Sequence, residues 1–202
     1  MKEIAVIRYN AGNIQSVVYA LERLGIEAVV TDDPDRIRNA DKVIFPGVGE
    51  ASTTMGYLKQ KGLDTVISSL TQPVLGICLG LQLMCQFSEE GNTQCLGIFH
   101  ANVKKFPLFA ETDSILKVPH MGWNTVAKNS TDNTLLYNLD TSPFFYFVHS
   151  FYATTGPDTA AVTEYGVPFS SVLSNKNFMA VQFHPEKSGL AGEVLLKNFL
   201  KL

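Results

Sequence analysis

At 202 residues, with 46% hydrophobic and 17% charged residues and a formal net charge of -3, the chain has the composition of a soluble globular protein able to fill one core. Lys and Arg are scattered along it, so no basic patch points to nucleic acid. No apolar run approaches the roughly 20 residues needed to cross a bilayer, and Met1-Lys2-Glu3 leads into a strand pattern without a signal-peptide core. The expectation is a cytoplasmic protein of one domain, residues 1–202.

The pattern opens with a short buried strand, Ile4-Ala5-Val6-Ile7, and a turn through Asn10-Ala11-Gly12. Asn13 is placed to cap a helix whose apolar positions are Ile14, Val17, Val18, Leu21 and Leu24, with Gly25 as its stop. Ala28-Val29-Val30 reads as the second strand, Asp32-Asp33-Pro34 opens a short polar helix, and Lys42-Val43-Ile44-Phe45 is the third strand. Pro46-Gly47-Val48-Gly49 breaks that strand sharply. One helical stretch is then expected towards Leu70, followed by a fourth strand, Pro73 to Ile77. That strand turns at Cys78 into a helix carrying Leu79, Leu83, Met84 and Phe87.

Such a βαβα succession predicts an α/β fold: a three-layer, open, mostly parallel sheet with flanking helices and ligands beyond the strands' carboxyl ends. After Glu89-Glu90-Gly91 the texture changes to shorter β-like runs, Ile98 to Val103, Ile115 to Val118, Phe144 to Val148 and Phe169 to Leu173, an antiparallel or mixed extension. The last strand, Met179 to Phe183, runs into His184-Pro185-Glu186, and a closing helix carries Val194, Leu195 and Phe199.

Gly76-Ile77-Cys78-Leu79-Gly80 sets a thiol on a strand-to-helix turn between two glycines, the arrangement of a nucleophile elbow. A bend that tight crowds backbone against backbone, so its neighbours do best without β-carbons. Facing the N–H end of a helix favours thiolate over thiol. Taken alone, the motif is equally a buried structural cysteine; Cys85 and Cys95 lack its context and read as structural. In His184-Pro185-Glu186 a base and a carboxylate lie two positions apart on an extended segment, so both can emerge on one side. A carboxylate on one imidazole nitrogen leaves the other free to take a thiol proton. Alone, that tripeptide reads as a solvent-facing turn; together with the elbow it reads as a Cys, His, Glu triad.

The turn at Gly47-Val48, after a neighbouring parallel strand, offers backbone N–H groups to a developing oxyanion, and the N–H of Leu79 is the second donor. One such donor is worth about 2.7–4 kcal/mol of barrier. Gln82, one turn into the elbow helix, faces either solvent or a substrate pocket. His100, His120 and His149 lie in no metal-ligand spacing, so no metal is expected. Trp123, within Pro119-His120-Met121-Gly122-Trp123-Asn124, is either core packing or an interface anchor, and packing is the expectation from the residues alone.

Together the Gly-x-Cys-x-Gly elbow, the Pro-Gly-rich loop and the late His-Pro-Glu resemble the triad-type, class I glutamine amidotransferases, in that family's order. Within it, the Pro119 to Asn124 segment, Tyr146-Phe147-Val148-His149-Ser150, Gly12-Asn13 and His184 to Ser188 are similar to the glutaminase subunits of imidazole glycerol phosphate synthases. The resemblance covers nearly the whole chain. It implies hydrolysis of glutamine through a cysteine thioester without a cofactor, and ammonia passed to a (β/α)₈-barrel cyclase partner in histidine biosynthesis. It further implies that Gly49, Gln82, His149 and Ser150 hold glutamine. Asn13, Met121, Trp123, Asn124, Tyr146 and Lys187 would face the partner. The chain departs from the usual pattern at Arg8, Asn10, Leu81 and Phe151, where the family commonly has Asp, Gly, Met and Tyr; Arg8 bears on the first loop of that interface. A paralogue amidating a sugar and a silent scaffold are the alternatives.

Overall fold

The computed structural model describes residues 3–9, 14–108, 115–129 and 133–202. The expected turn through Asn10-Ala11-Gly12 and the capping role of Asn13 lie outside these residues. In chain order the first half contains β1 (Ile4–Ile7), α1 (Ile14–Arg23), β2 (Ala28–Thr31), α2 (Pro34–Asn39), β3 (Lys42–Phe45), α3 (Ala51–Lys61), α4 (Leu63–Ser68), β4 (Val74–Ile77) and α5 (Leu79–Met84). The second half contains β5 (Phe87–Ser88), β6 (Thr93–Gln94), β7 (Asn102–Lys105), β8 (His120–Thr125), β9 (Ala127–Lys128), β10 (Phe144–His149), β11 (Phe151–Ala153), β12 (Thr159–Glu164), β13 (Pro168–Asn175), β14 (Phe178–Val181) and α6 (Gly189–Lys201).

The main sheet runs β2-β1-β3-β4-β14-β13-β12-β9. Its first five strands are parallel to one another and the last three are added antiparallel. Every residue of β1, β3, β4 and β14 is buried, as strands covered on both faces must be. Alternation divides their side chains between two cores: Ala5 and Ile7 pack with residues of α2, α3 and α4, while Ile4 and Val6 pack with residues of α1 and α6. The three-layer, mostly parallel sheet with an antiparallel extension is therefore the architecture found. A small sheet, β11-β7-β5-β6, and a two-stranded ribbon, β10-β8, complete the β structure among the described residues.

Local signals account for the helix ends. Gly25, at φ 76°, lets its own N–H reach Glu22 O and that of Ile26 reach Leu21 O, closing α1 with paired carbonyl caps. Asp33 caps α2 by accepting from the N–H groups of Asp35 and Arg36. Three expectations need correction. The stretch towards Leu70 is two helices, because Gly62 adopts a left-handed conformation, φ 66°, between them. Phe87 lies in β5 rather than in the elbow helix, which ends at Met84; the Gln86 N–H bonds Ala101 O, so pairing with the loop before β7 claims the backbone there. Likewise 98–101 precede the strand instead of belonging to it, since β7 starts at Asn102. Among the described residues no helix is long and apolar enough to cross a membrane.

Candidate active site

The carboxyl ends of β4 and β14, adjacent and parallel with Ile77 beside Val181, bring the two sequence-distant motifs together. Cys78 follows β4 with φ 52° and ψ -107°, a conformation unusual for any residue with a β-carbon. Holding it there costs on the order of 1–3 kcal/mol, which the surrounding packing must over-determine. The glycines make the bend possible: a β-carbon on Gly80 would lie 2.0 Å from Phe45 O, and one on Gly76 would lie 3.1 Å from the Ala180 side chain. Cys78 is buried, with Gln182 Nε2 donating to its Sγ at 3.6 Å.

His184 leaves β14 in an extended conformation, but Pro185–Lys187 is a single 3-10 turn rather than the extended segment expected. The turn folds Glu186 back onto the imidazole, with His184 Nδ1 and Glu186 Oε1 2.7 Å apart and both side chains only 2% exposed. A carboxylate on Nδ1 fixes a proton there and leaves Nε2, which is buried and has no hydrogen-bond partner, to exchange a proton with the thiol. Burial alone would lower the His184 pKa; the neighbouring Cys78 sulfur and then the Glu186 carboxylate outweigh it and raise it to about 10. The Ser188 hydroxyl ties this turn to the ribbon, donating to His184 O at 2.6 Å and accepting from Tyr146 N at 3.0 Å.

The backbone groups expected to hold an oxyanion are not aligned for it in this structure. Leu79 N–H donates to Gly47 O at 3.4 Å, so the Gly47–Val48 peptide turns its oxygen towards the elbow. In a planar trans peptide the Val48 N–H then points the opposite way. No β-carbon fits at Gly47, where it would meet Gly80 N and the Leu79 side chain at 2.6 Å each. The Tyr9 hydroxyl, buried, holds the preceding carbonyl, Pro46 O, at 2.5 Å.

Beside Cys78 opens a cavity of about 340 Å³, lined by Val48, Gly49, Leu79, Gln82, Glu90, Pro119 and Val148 to Phe151. Gln82 is buried, its amide nitrogen donating to Phe151 O at 2.9 Å and to Gln182 Oε1 at 3.1 Å. Two residues here went unread in the sequence. Gln182 is a buried polar residue immediately after β14, two positions before His184. Glu90, whose carboxylate accepts from Ala51 N at 2.8 Å and whose pKa burial pushes up, adds an acidic group to the cavity wall. A larger groove of about 470 Å³ holds Cys95 but no histidine in its lining, and burial raises that thiol's pKa to about 11. Among the described residues no group of three or more His, Cys, Asp or Glu could hold a metal ion.

Of the residues expected to face a partner, Met121 and Trp123 are 63% and 55% exposed on β8, so the packing expectation for Trp123 is overturned. Tyr146 pairs across from Trp123 in the ribbon, and their rings meet edge to face at 6.1 Å. Lys187 is exposed at the His184-Pro185-Glu186 turn. Asn124 is different: strand alternation turns its amide inward, to Glu164 O at 3.0 Å and His120 Nε2 at 3.3 Å. Asn13 and Asn10 lie outside the described residues. Of the departures from the family pattern, Arg8 pairs with Asp32, Leu81 is buried in the core, and Phe151 contributes its backbone carbonyl to the network around Gln82.

Comparison with known proteins gives this geometry its family. The family model described as "Glutamine amidotransferase class-I" matches residues 5–202. The chain belongs to the class-I glutamine amidotransferases. It is 59% identical over 200 residues, 99% of this chain and 100% of the relative, to "Imidazole glycerol phosphate synthase subunit HisH" of Bacteroides fragilis. Identity to the protein of the same name from Pasteurella multocida is 46% over 201 residues, covering 100% of this chain and 98% of the relative. Among solved structures, a putative GMP synthase protein from Thermoplasma acidophilum shares the fold with a TM-score of 0.76 at 21% identity, covering 100% of this chain and 93% of that one. PurLQS from Thermotoga maritima aligns with a TM-score of 0.71 at 16% identity, covering 100% and 99% of the two chains. As a class-I amidotransferase, the chain is expected to release nitrogen from a glutamine side chain, and the elbow and triad turn supply groups of the right chemistry.

Proposed function

We infer that this chain is the glutaminase subunit of an imidazole glycerol phosphate synthase, acting in the cytoplasm as a heterodimer with a (β/α)₈-barrel cyclase in histidine biosynthesis. Full-length identity of 59% to a relative of that name is the observation that carries the reading.

In the proposed reaction the glutamine side chain enters the cavity beside Cys78, with its α-ammonium near the Glu90 carboxylate. With the thiol proton already held on His184 Nε2, as the raised His184 pKa requires, and Glu186 stabilising that imidazolium, the Cys78 sulfur attacks the carboxamide carbon. The carbonyl electrons move onto oxygen, held by the N–H groups of Leu79 and Val48 once the Gly47–Val48 peptide has turned over. His184 then protonates the departing nitrogen, ammonia leaves, and water, deprotonated by His184, cleaves the thioester to glutamate and regenerates the thiol. The self-occupied Leu79 N–H supports a resting state in which hydrolysis waits for the partner. The face formed by the exposed Met121 and Trp123 and the half-buried Tyr146, joined to the His184 turn through Ser188, is where docking would act.

Purification together with a candidate cyclase, followed by glutamine-dependent turnover, tests the reading. Stable association and glutamate release that rises when the cyclase substrate is added are expected. Full glutamine hydrolysis by the chain alone, or unchanged hydrolysis in Cys78→Ala, would contradict it.

A further inference from the structure

Behind the cavity two histidines that the mechanism does not use are packed edge to face, their ring centroids 5.0 Å apart. His149 Nδ1 lies 2.7 Å from Phe151 O, His149 Nε2 lies 3.0 Å from His120 Nδ1, and His120 Nε2 lies 3.3 Å from Asn124 Nδ2. These contacts have only one consistent arrangement of protons. A carbonyl oxygen accepts, so His149 Nδ1 carries hydrogen; a neutral His149 then has a bare Nε2, which must accept from His120 Nδ1–H. His120 Nε2 is bare in turn and accepts from the Asn124 amide. The amide's own orientation agrees, since Asn124 Oδ1 accepts from Thr125 N at 2.8 Å and Nδ2 also donates to Glu164 O. Burial holds both rings neutral, lowering the His120 pKa to about 4 and the His149 pKa to about 3.

We propose that His120 and Asn124 are positioning residues for glutamine: their directed hydrogen-bond chain fixes the His149 ring and, through the shared Phe151 carbonyl, the strand wall on which the substrate lies. Phe151 O is also the acceptor for Gln82, which donates to Gln182, which donates to the Cys78 sulfur. One end of the chain is therefore in β8 of the exposed ribbon and the other at the nucleophile. The rings are held by stacking as well as by polarity, because His120 lies flat between Tyr165 and Phe147 at centroid distances of 4.0 and 4.8 Å. The inference rests on the reading that glutamine occupies this cavity.

The test compares His120→Phe, which keeps a flat ring in the stack but removes the donor, with His120→Asn, which restores an N–H near Nδ1. Glutamate release is measured in the complex with the acceptor subunit. Leaving a buried acceptor unpaired is expected to raise the glutamine KM about tenfold in the Phe variant, with kcat within about twofold. The Asn variant is expected to recover most of that loss. Nitrogen-15 shifts of the unmodified protein give a measurement independent of substrate and of variant folding, and both rings should report the neutral Nδ1–H tautomer from pH 6 to pH 8. An Nε2–H tautomer at either ring, an unchanged KM in the Phe variant, or a KM in the Asn variant no lower than in the Phe variant would overturn the proposal. Absence of glutamine hydrolysis in every form, the unmodified protein included, would instead reject the glutaminase reading and leave the tautomer result standing.

Discussion

Gly192 lies outside the cavity beside Cys78, yet its replacement by alanine is predicted to disrupt the proposed Cys78, His184 and Glu186 triad. It lies in the first turns of α6, where an added β-carbon would stand 1.9 Å from Pro185 O, 2.8 Å from Pro185 C and 3.1 Å from its Cα. The shortest contact falls roughly 1.5 Å inside normal van der Waals separation, so something must move. The helix is pinned by the fully buried Leu195 and Phe199 and by Leu196, so the displacement falls on the turn. Pro185 is the residue between His184 and Glu186, whose 2.7 Å contact is then lost. A misplacement of about 1 Å is worth on the order of 10²-fold in rate, and kcat for glutamate release in the assembled complex should fall by about that factor. Overpacking of about 1–3 kcal/mol should outweigh the gain of about 1 kcal/mol from replacing a helical glycine, giving a net loss of thermal stability. Gly56→Ala in α3, where nothing lies within 4 Å of the new carbon, is the control and should be neutral or slightly stabilising. A Gly192→Ala enzyme with kcat within about threefold of the parent would refute the claim that backbone contact with α6 sets the triad.

Other outcomes follow from the same geometry. Because partners raise the His184 pKa to about 10, its stabilising contribution is complete below about pH 6.5 and fades as pH rises through 10. The alkaline limb of kcat/KM is predicted near 10, and Glu186→Gln should move that limb to lower pH; an unmoved limb would deny Glu186 its role. His120 and His149 have the opposite sign. With pKa values lowered to about 4 and about 3, they favour the folded state fully above about pH 6.5 and lose that effect as pH falls through those values. Urea midpoints should therefore drop between pH 6.5 and 4, less steeply in His120→Asn. Replacing Trp123 and Met121 together by serine should weaken association with the cyclase by at least about tenfold while leaving thermal stability unchanged, since both side chains are mostly in solvent.

The parallel half of the sheet was legible because β1 and β4 carry no polar side chain and β3 only Lys42 at its start, with Pro46 closing β3 and Pro73 opening β4. The elbow and the His-Pro-Glu turn were legible as separate motifs, since crowding at Gly76 and Gly80 leaves a compositional mark. The ribbon strand β8 escaped because its pattern is inverted: Met121 and Trp123 face solvent, while the polar His120 and Asn124 point inward to each other. Trp123 was consequently expected in the core. Phe87 sits four positions after Leu83 and so mimics a helix face, but pairing near Ala101, distant in sequence, decides its conformation. The orientation of the Gly47–Val48 peptide left no trace in the sequence, because it depends on a single hydrogen bond to Leu79, thirty-two positions downstream.

Whether the sulfur at the β4 elbow is the atom that takes the glutamyl group can be asked directly. A glutamine analogue bearing an electrophilic carbon, incubated with the assembled complex and followed by peptide mass spectrometry, should place one adduct per chain on Cys78 and none on Cys85 or Cys95. Complete hydrolytic activity surviving in protein whose Cys78 has been fully modified would show that another group performs the attack.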